Sequence, residues 1–148
     1  MNSSHGGRIC LEATAAICQQ AGVGRYTRGL IRGLLDTDPD GDYTIAYNQA
    51  RSVRPLPPLD HLFSYTSPLG NKRWRLKNAL TYFGAPLMDD FFSEVALYHS
   101  TGHLLPRLAR VRTVFTLHDL IPLLLPEYHL PLNRIFLRLM LPKFLRQA

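Results

Sequence analysis

The chain has 148 residues, 46% of them apolar and 19% charged, enough for one globular domain with a real core. Seventeen Lys and Arg against eleven Asp and Glu leave a formal charge of +6, which favours anionic partners such as phosphates, nucleotides or acidic lipid headgroups. The opening Met1–Gly7 lacks the apolar core of a signal peptide, and His118, Asp119 and several prolines keep the best apolar stretch below spanning length.

In chain order, Arg8–Ala13 reads as a buried strand. A glycine-bearing loop with Gly22 and Gly24 follows, and the apolar spacing of Tyr26, Leu30, Ile31, Leu34 and Leu35 predicts a helix over Val23–Leu35. Asp36–Asp42, acidic and broken by Pro39 and Gly41, is a turn, and Tyr43–Tyr47 is a second strand. Arg51–Pro58 carries three prolines and reads as loop; His61–Tyr65 fits a third strand. Asn71–Tyr82 is a helix with Trp74, Leu76, Leu80 and Phe83 on the apolar side and Lys72, Arg73, Arg75 and Lys77 on the basic side. Pro86 starts a further helical turn through Phe92; Val95–Tyr98 and Thr113–Leu117 are the fourth and fifth strands. Leu132–Gln147 is an apolar and basic helix interrupted at Pro142.

Strands alternating with helical runs predict an α/β fold: a Rossmann-like, doubly wound parallel sheet with helices on both faces. Such sheets bind ligands beyond the carboxyl ends of their strands. Three polar clusters belong to that rim: the Gly22/Gly24 loop, the run Tyr98–His103 and the pair His118-Asp119. The glycine pair fits a phosphate cradle or a plain turn. Thr27 stands where the third glycine of a dinucleotide fingerprint belongs, and Asn48 where a ribose-binding acid is expected, so NAD binding is disfavoured.

His118 fits a donor to a sugar hydroxyl or a stabiliser of developing charge, and the competing reading has Asp119 capping the Ile121-Pro122 turn. His99 and His103 are four apart, but Gly102 and Pro106 argue against a helix, and no third ligand is evident for zinc. Cys10 and Cys18 read as free thiols of a reducing compartment, which makes the expected location cytoplasmic. The basic helices fit a solvated outer face or, alternatively, peripheral attachment to anionic lipid; no nucleic-acid module is evident.

Three stretches, Gly22–Leu30, Ala96–Thr101 and Thr113–Pro122 with its Leu-His-Asp-Leu-Ile-Pro core, resemble the N-terminal half of a GT-B glycosyltransferase of family 4, similar to bacterial mannosyl- and related hexosyltransferases. The resemblance implies a single N-terminal domain over 1–148, apparently truncated, with the C-terminal donor-binding domain absent. It implies that Gly22 and Gly24 lie near the phosphates of a nucleotide-sugar donor. His118, supported by Asp119, would sit beside the transferred sugar. Arg25, Tyr26, His99 and Thr101 would line the side of a glycan or lipid-linked acceptor. It further implies retention of configuration, no metal and no cofactor beyond the donor substrate, a place at the cytoplasmic face of the inner membrane, and weak or no activity for this chain alone. An unpaired sheet edge with exposed apolar surface, and hence poor solubility, is expected as well.

Overall fold

The computed structural model describes residues 7–18, 21–48, 55, 57–125, 127 and 130–148. Most of the expected Arg51–Pro58 loop, and Pro126, lie outside them. Five strands, β1 (Ile9–Glu12), β2 (Tyr43–Asn48), β3 (Phe63–Ser67), β4 (Leu97–Ser100) and β5 (Arg112–Phe115), form one sheet in the order β3-β2-β1-β4-β5. Every pairing is parallel; Ile9 lies beside Tyr43 on one side and Leu97 on the other. Strand order therefore reverses at β1, and a crevice opens between the ends of β1 and β4.

Side-chain parity sorts the strands into two cores, because successive residues of a strand face opposite ways. Leu11, Tyr43, Ile45 and Tyr47 pack with Ala16, Ile17 and Ile31 of the helices α1 (Thr14–Ile17) and α2 (Ala21–Thr37). Cys10, Ala46 and Tyr98 face the other way, against Trp74 of α3 (Asn71–Thr81) and Met140, Leu141 and Phe144 of α5 (Pro131–Gln147). A single-turn helix, α4 (Ile121–Leu124), follows β5.

Several local expectations are corrected. The segment after β1 is not a plain loop: Thr14-Ala-Ala-Ile17 makes a turn of helix that buries Ala15, Ala16 and Ile17, and α2 already begins at Ala21. Gly22 and Gly24 consequently lie inside the first turns of α2. Residues 86–92 form turns without a helix, and the third strand runs two residues later than expected. Pro142 does not interrupt α5. Its missing N–H would have met the carbonyl of Arg138, and both residues are exposed, so water can serve that carbonyl.

The inward face of α3 is Trp74, Asn78 and Thr81, whereas Leu76, Leu80 and Phe83 are exposed. The helix backbone takes up the donors of the two polar residues, while Asn78 Oδ1 has no hydrogen-bond partner among the described residues. Asn78 Nδ2 donates to the Trp74 carbonyl at 2.8 Å, and Thr81 Oγ1 to the Asn78 carbonyl at 2.6 Å. No helix among the described residues is long and apolar enough to cross a membrane.

Candidate functional site

All five strands run the same way, so their carboxyl ends share one rim. Thr101, directly after β4, knits that rim together and is fully buried. Its hydroxyl donates to the Glu12 carbonyl at 2.6 Å, and Thr27 Oγ1 of α2 lies 3.0 Å from it. Its own carbonyl is 2.7 Å from His118 Nε2. A carbonyl only accepts, so Nε2 carries the proton, and a neutral His118 keeps its lone pair on Nδ1. The ring is fixed further by edge-on contacts, with Tyr26 at 5.0 Å and His103 at 5.7 Å between centroids.

Beside it, Thr116 Oγ1 lies 2.8 Å from His99 Nε2 and 3.3 Å from the Tyr26 hydroxyl. His99 shares the orientation of its neighbour Leu11, towards the α1/α2 face, and its partial burial pushes its pKa down, which favours the neutral ring. Tyr26, Thr116 and His99 thus form a chain of polar groups next to His118.

On the α3/α5 side of the same rim lies a cleft of about 360 Å³. Parity explains its floor. Glu12 has the orientation of Cys10, and Asn48 that of Ala46, so both terminal strand residues aim at α3 and α5. Asn71, Trp74 and Arg75 from α3, Asn133 and Leu137 from α5, and Gly102, His103 and Asp119 from the two loops also line it, with Thr14, Ala15 and Val23 closing the side towards α1 and α2. Glu12 Oε1 accepts from the Thr14 amide at 2.9 Å. Burial nevertheless pushes the Glu12 carboxyl pKa up, against the opposing pull of hydrogen bonds from Thr14 and Thr101. Its effect on stability is therefore most favourable at low pH and is lost as pH rises through the raised value. Asn48 is only 6% exposed, and its Oδ1 has no hydrogen-bond partner among the described residues.

The residues singled out in the sequence divide accordingly. Tyr26, His99, Thr101 and His118 meet, but Thr101 is a buried tie between segments and presents no surface to a ligand. Asp119 does not hold His118: its Oδ1 accepts from the Ile121 amide at 3.0 Å and shapes the turn into α4, while the residue lines the cleft. Gly24 is a packing glycine. A Cβ there would stand 2.4 Å from the Ala15 carbonyl oxygen, whereas one on Gly22 would meet nothing within 4 Å. Arg25 is exposed on α2.

Sequence reasoning passed over Glu12, Asn71, Arg75, Thr116 and Asn133, and treated Asn48 only as a missing acid. The available signal was position: Glu12 and Asn48 are the last residues of adjacent strands and share parity. Among the described residues, no three His, Cys, Asp or Glu side chains group to hold a metal ion. No protein-family model, curated protein or solved structure matches this chain.

Proposed function

We propose that this chain forms the acceptor-side half of a sugar-transfer cleft, as the N-terminal domain of a retaining, metal-independent glycosyltransferase of the GT-B type, moving a hexose from a nucleotide-sugar to a glycan or lipid-linked acceptor. The observation that carries the reading is the meeting of three separate segments on one rim. Tyr26 from α2, Thr101 and His103 after β4, and Thr116 and His118 after β5 stand within hydrogen-bond or ring-contact distance of one another.

Breaking a sugar–diphosphate bond develops negative charge on the leaving group and positive charge at the anomeric carbon. His118, with Nε2–H committed to the Thr101 carbonyl, offers Nδ1 to a hydroxyl or, when protonated, a second N–H to an oxyanion. The start of α2 is where backbone amides would meet a phosphate; with Gly24 committed to packing on Ala15, the open approach there is at Gly22. A second domain facing this rim, as in the family it resembles, would hold the nucleotide and exclude water that competes with the acceptor.

Saturation-transfer NMR on the purified chain, with GDP-mannose, UDP-glucose, methyl α-mannoside and NAD each in turn, tests this reading. Transfer to the sugar ligands and none to NAD is expected. Transfer to NAD alone would replace the reading with a dinucleotide-binding one.

A second reading, a non-catalytic module docked on anionic lipid, is favoured by the surface of α3 and α5. Each carries four basic residues and no acidic one. The two helices are neighbours, with Lys143 over the Phe83 ring at 4.8 Å and Arg75 bonded to Asn133 at 2.9 Å. Phe83, Leu132 and Leu139 stand 62%, 84% and 58% exposed among those charges. Under this reading the chain floats with phosphatidylglycerol vesicles at low salt, releases as salt rises, and ignores phosphatidylcholine. Failure to float with either lipid would refute it.

A further inference from the structure

The cleft beside His118 is chemically two-sided. Its floor is acceptor-rich: the Glu12 carboxylate, the nine-tenths buried Asn48 Oδ1, which has no partner among the described residues, and Asp119. A buried oxygen without a donor is costly to leave so, and it asks for a ligand that brings an O–H or N–H. Gly102 borders that floor: a Cβ there would stand 3.3 Å from Glu12 Oε2.

The opposite wall is cationic and built with care. Arg75 is half-buried, stacks on Phe136 with its guanidinium carbon 4.2 Å from the ring centroid, and donates from one terminal nitrogen to Asn133 Oδ1 at 2.9 Å. Stacking and the amide together hold the planar fork in one orientation. Among the described residues no carboxylate lies within ion-pair distance of it. Burial pushes its pKa down, and no neighbouring acid offsets that. A desolvated guanidinium facing a cleft without a carboxylate partner is set up for an anionic ligand group. Between floor and wall, Trp74 supplies an apolar ring edge, and Asn71 adds an amide able to donate and accept.

We propose that the cleft binds an acidic sugar, a hydroxylated ring whose phosphate or carboxylate pairs with Arg75 while its hydroxyls donate to Glu12 and Asn48. The proposal rests on the sugar-transfer reading for the role of that ligand as acceptor and adds that the acceptor end is anionic. Hydroxyls suit the floor better than an ammonium does, because the amides of Asn48 and Asn71 bring donors as well as acceptors to the cleft, and a point cation can use only the acceptors.

Titration calorimetry on the full chain with mannose 6-phosphate, glucuronic acid, methyl α-mannoside, inorganic phosphate and glutamate decides it. The two acidic sugars should bind about tenfold or more tightly than the neutral glycoside, as expected of a charge-assisted pair. Preference for one of them identifies phosphate or carboxylate as the native group. Arg75→Met, which keeps the stem over Phe136, should abolish that preference, so that within this variant acidic and neutral sugars bind alike. Arg75→Lys should restore part of it, and serves if the Met variant does not fold. Equal binding of acidic and neutral sugars, or a preference that survives Arg75→Met, overturns the acidic-sugar proposal while leaving the sugar-transfer reading standing. Binding of glutamate or phosphate above every sugar overturns it in favour of another ligand. Binding of no sugar at all overturns both.

Discussion

Gly24→Val should cost about 3 kcal/mol or more, near the upper end for a substitution that overfills a packed site. The reason is backbone against backbone. A Cβ at residue 24 would stand 2.4 Å from the Ala15 carbonyl oxygen and 3.1 Å from its carbon, and neither can swing aside as a side-chain tip would. The clash is relieved only by lifting α2 from α1, which strips cover from Ala16 and Ile17 and shifts Tyr26 away from His118. Gly22→Ala is the control. It meets nothing within 4 Å and sits in an exposed helical turn, where alanine is favoured over glycine by up to about 1 kcal/mol. Urea denaturation of the two variants should therefore diverge in sign. A Gly22→Ala variant that is as stable as the parent but binds nucleotide-sugar more weakly would assign the amide approach at α2 to Gly22; equal losses of stability in both variants would refute the packing argument.

Phe144→Ala carries the second large effect, about 3–5 kcal/mol, a big share of the roughly 5–15 kcal/mol that holds a domain of this size. Phe144 is wholly buried and packs on Tyr82 at 5.5 Å and Phe115 at 5.7 Å between ring centroids. With Leu137, Met140 and Leu141 it fastens α5 to the sheet. That helix also brings Asn133 and Leu137 to the cleft, so loosening it should widen the cleft and free Arg75 from its amide partner. Thermal unfolding should show a midpoint lower by on the order of 10 °C or more. Sugar binding should fall even at temperatures where the variant remains folded. A variant with the parent's unfolding midpoint would contradict the packing account.

The sheet was legible because its strands are short runs of β-forming residues set between helical segments. Ile9–Leu11 and Tyr43–Tyr47 bury both faces, and alternation of strands with helices leaves parallel pairing as the simple solution. Boundaries drifted where chemistry is local. Thr14–Ile17 could not be told from loop, since one helical turn has no period to read. The face of α3 was misjudged because Asn78 and Thr81 look like surface residues, yet both donate to carbonyls of their own helix and pack inward. In the site, the rim and the His118 neighbourhood followed from strand ends. Glu12 and Arg75 did not, because each draws its meaning from a partner far away in the chain: Thr101 for the one, Asn133 and Phe136 for the other. The Gly22/Gly24 pair looked uniform in the sequence and divides in the structure, one glycine open and one pressed on a carbonyl.

Backbone amide shifts, followed by heteronuclear NMR while GDP-mannose and then methyl α-mannoside are added to the isotope-labelled chain, probe the central claim most directly: that sugar ligands settle on the carboxyl rim of this sheet. The account predicts the largest displacements at Glu12, Gly22, Asn48, Thr101, His103, His118 and Asp119, with Arg8, Asp42 and Val111 on the opposite rim unmoved. Displacements gathered around Arg8, Asp42 and Val111, or none at saturating ligand, would contradict it.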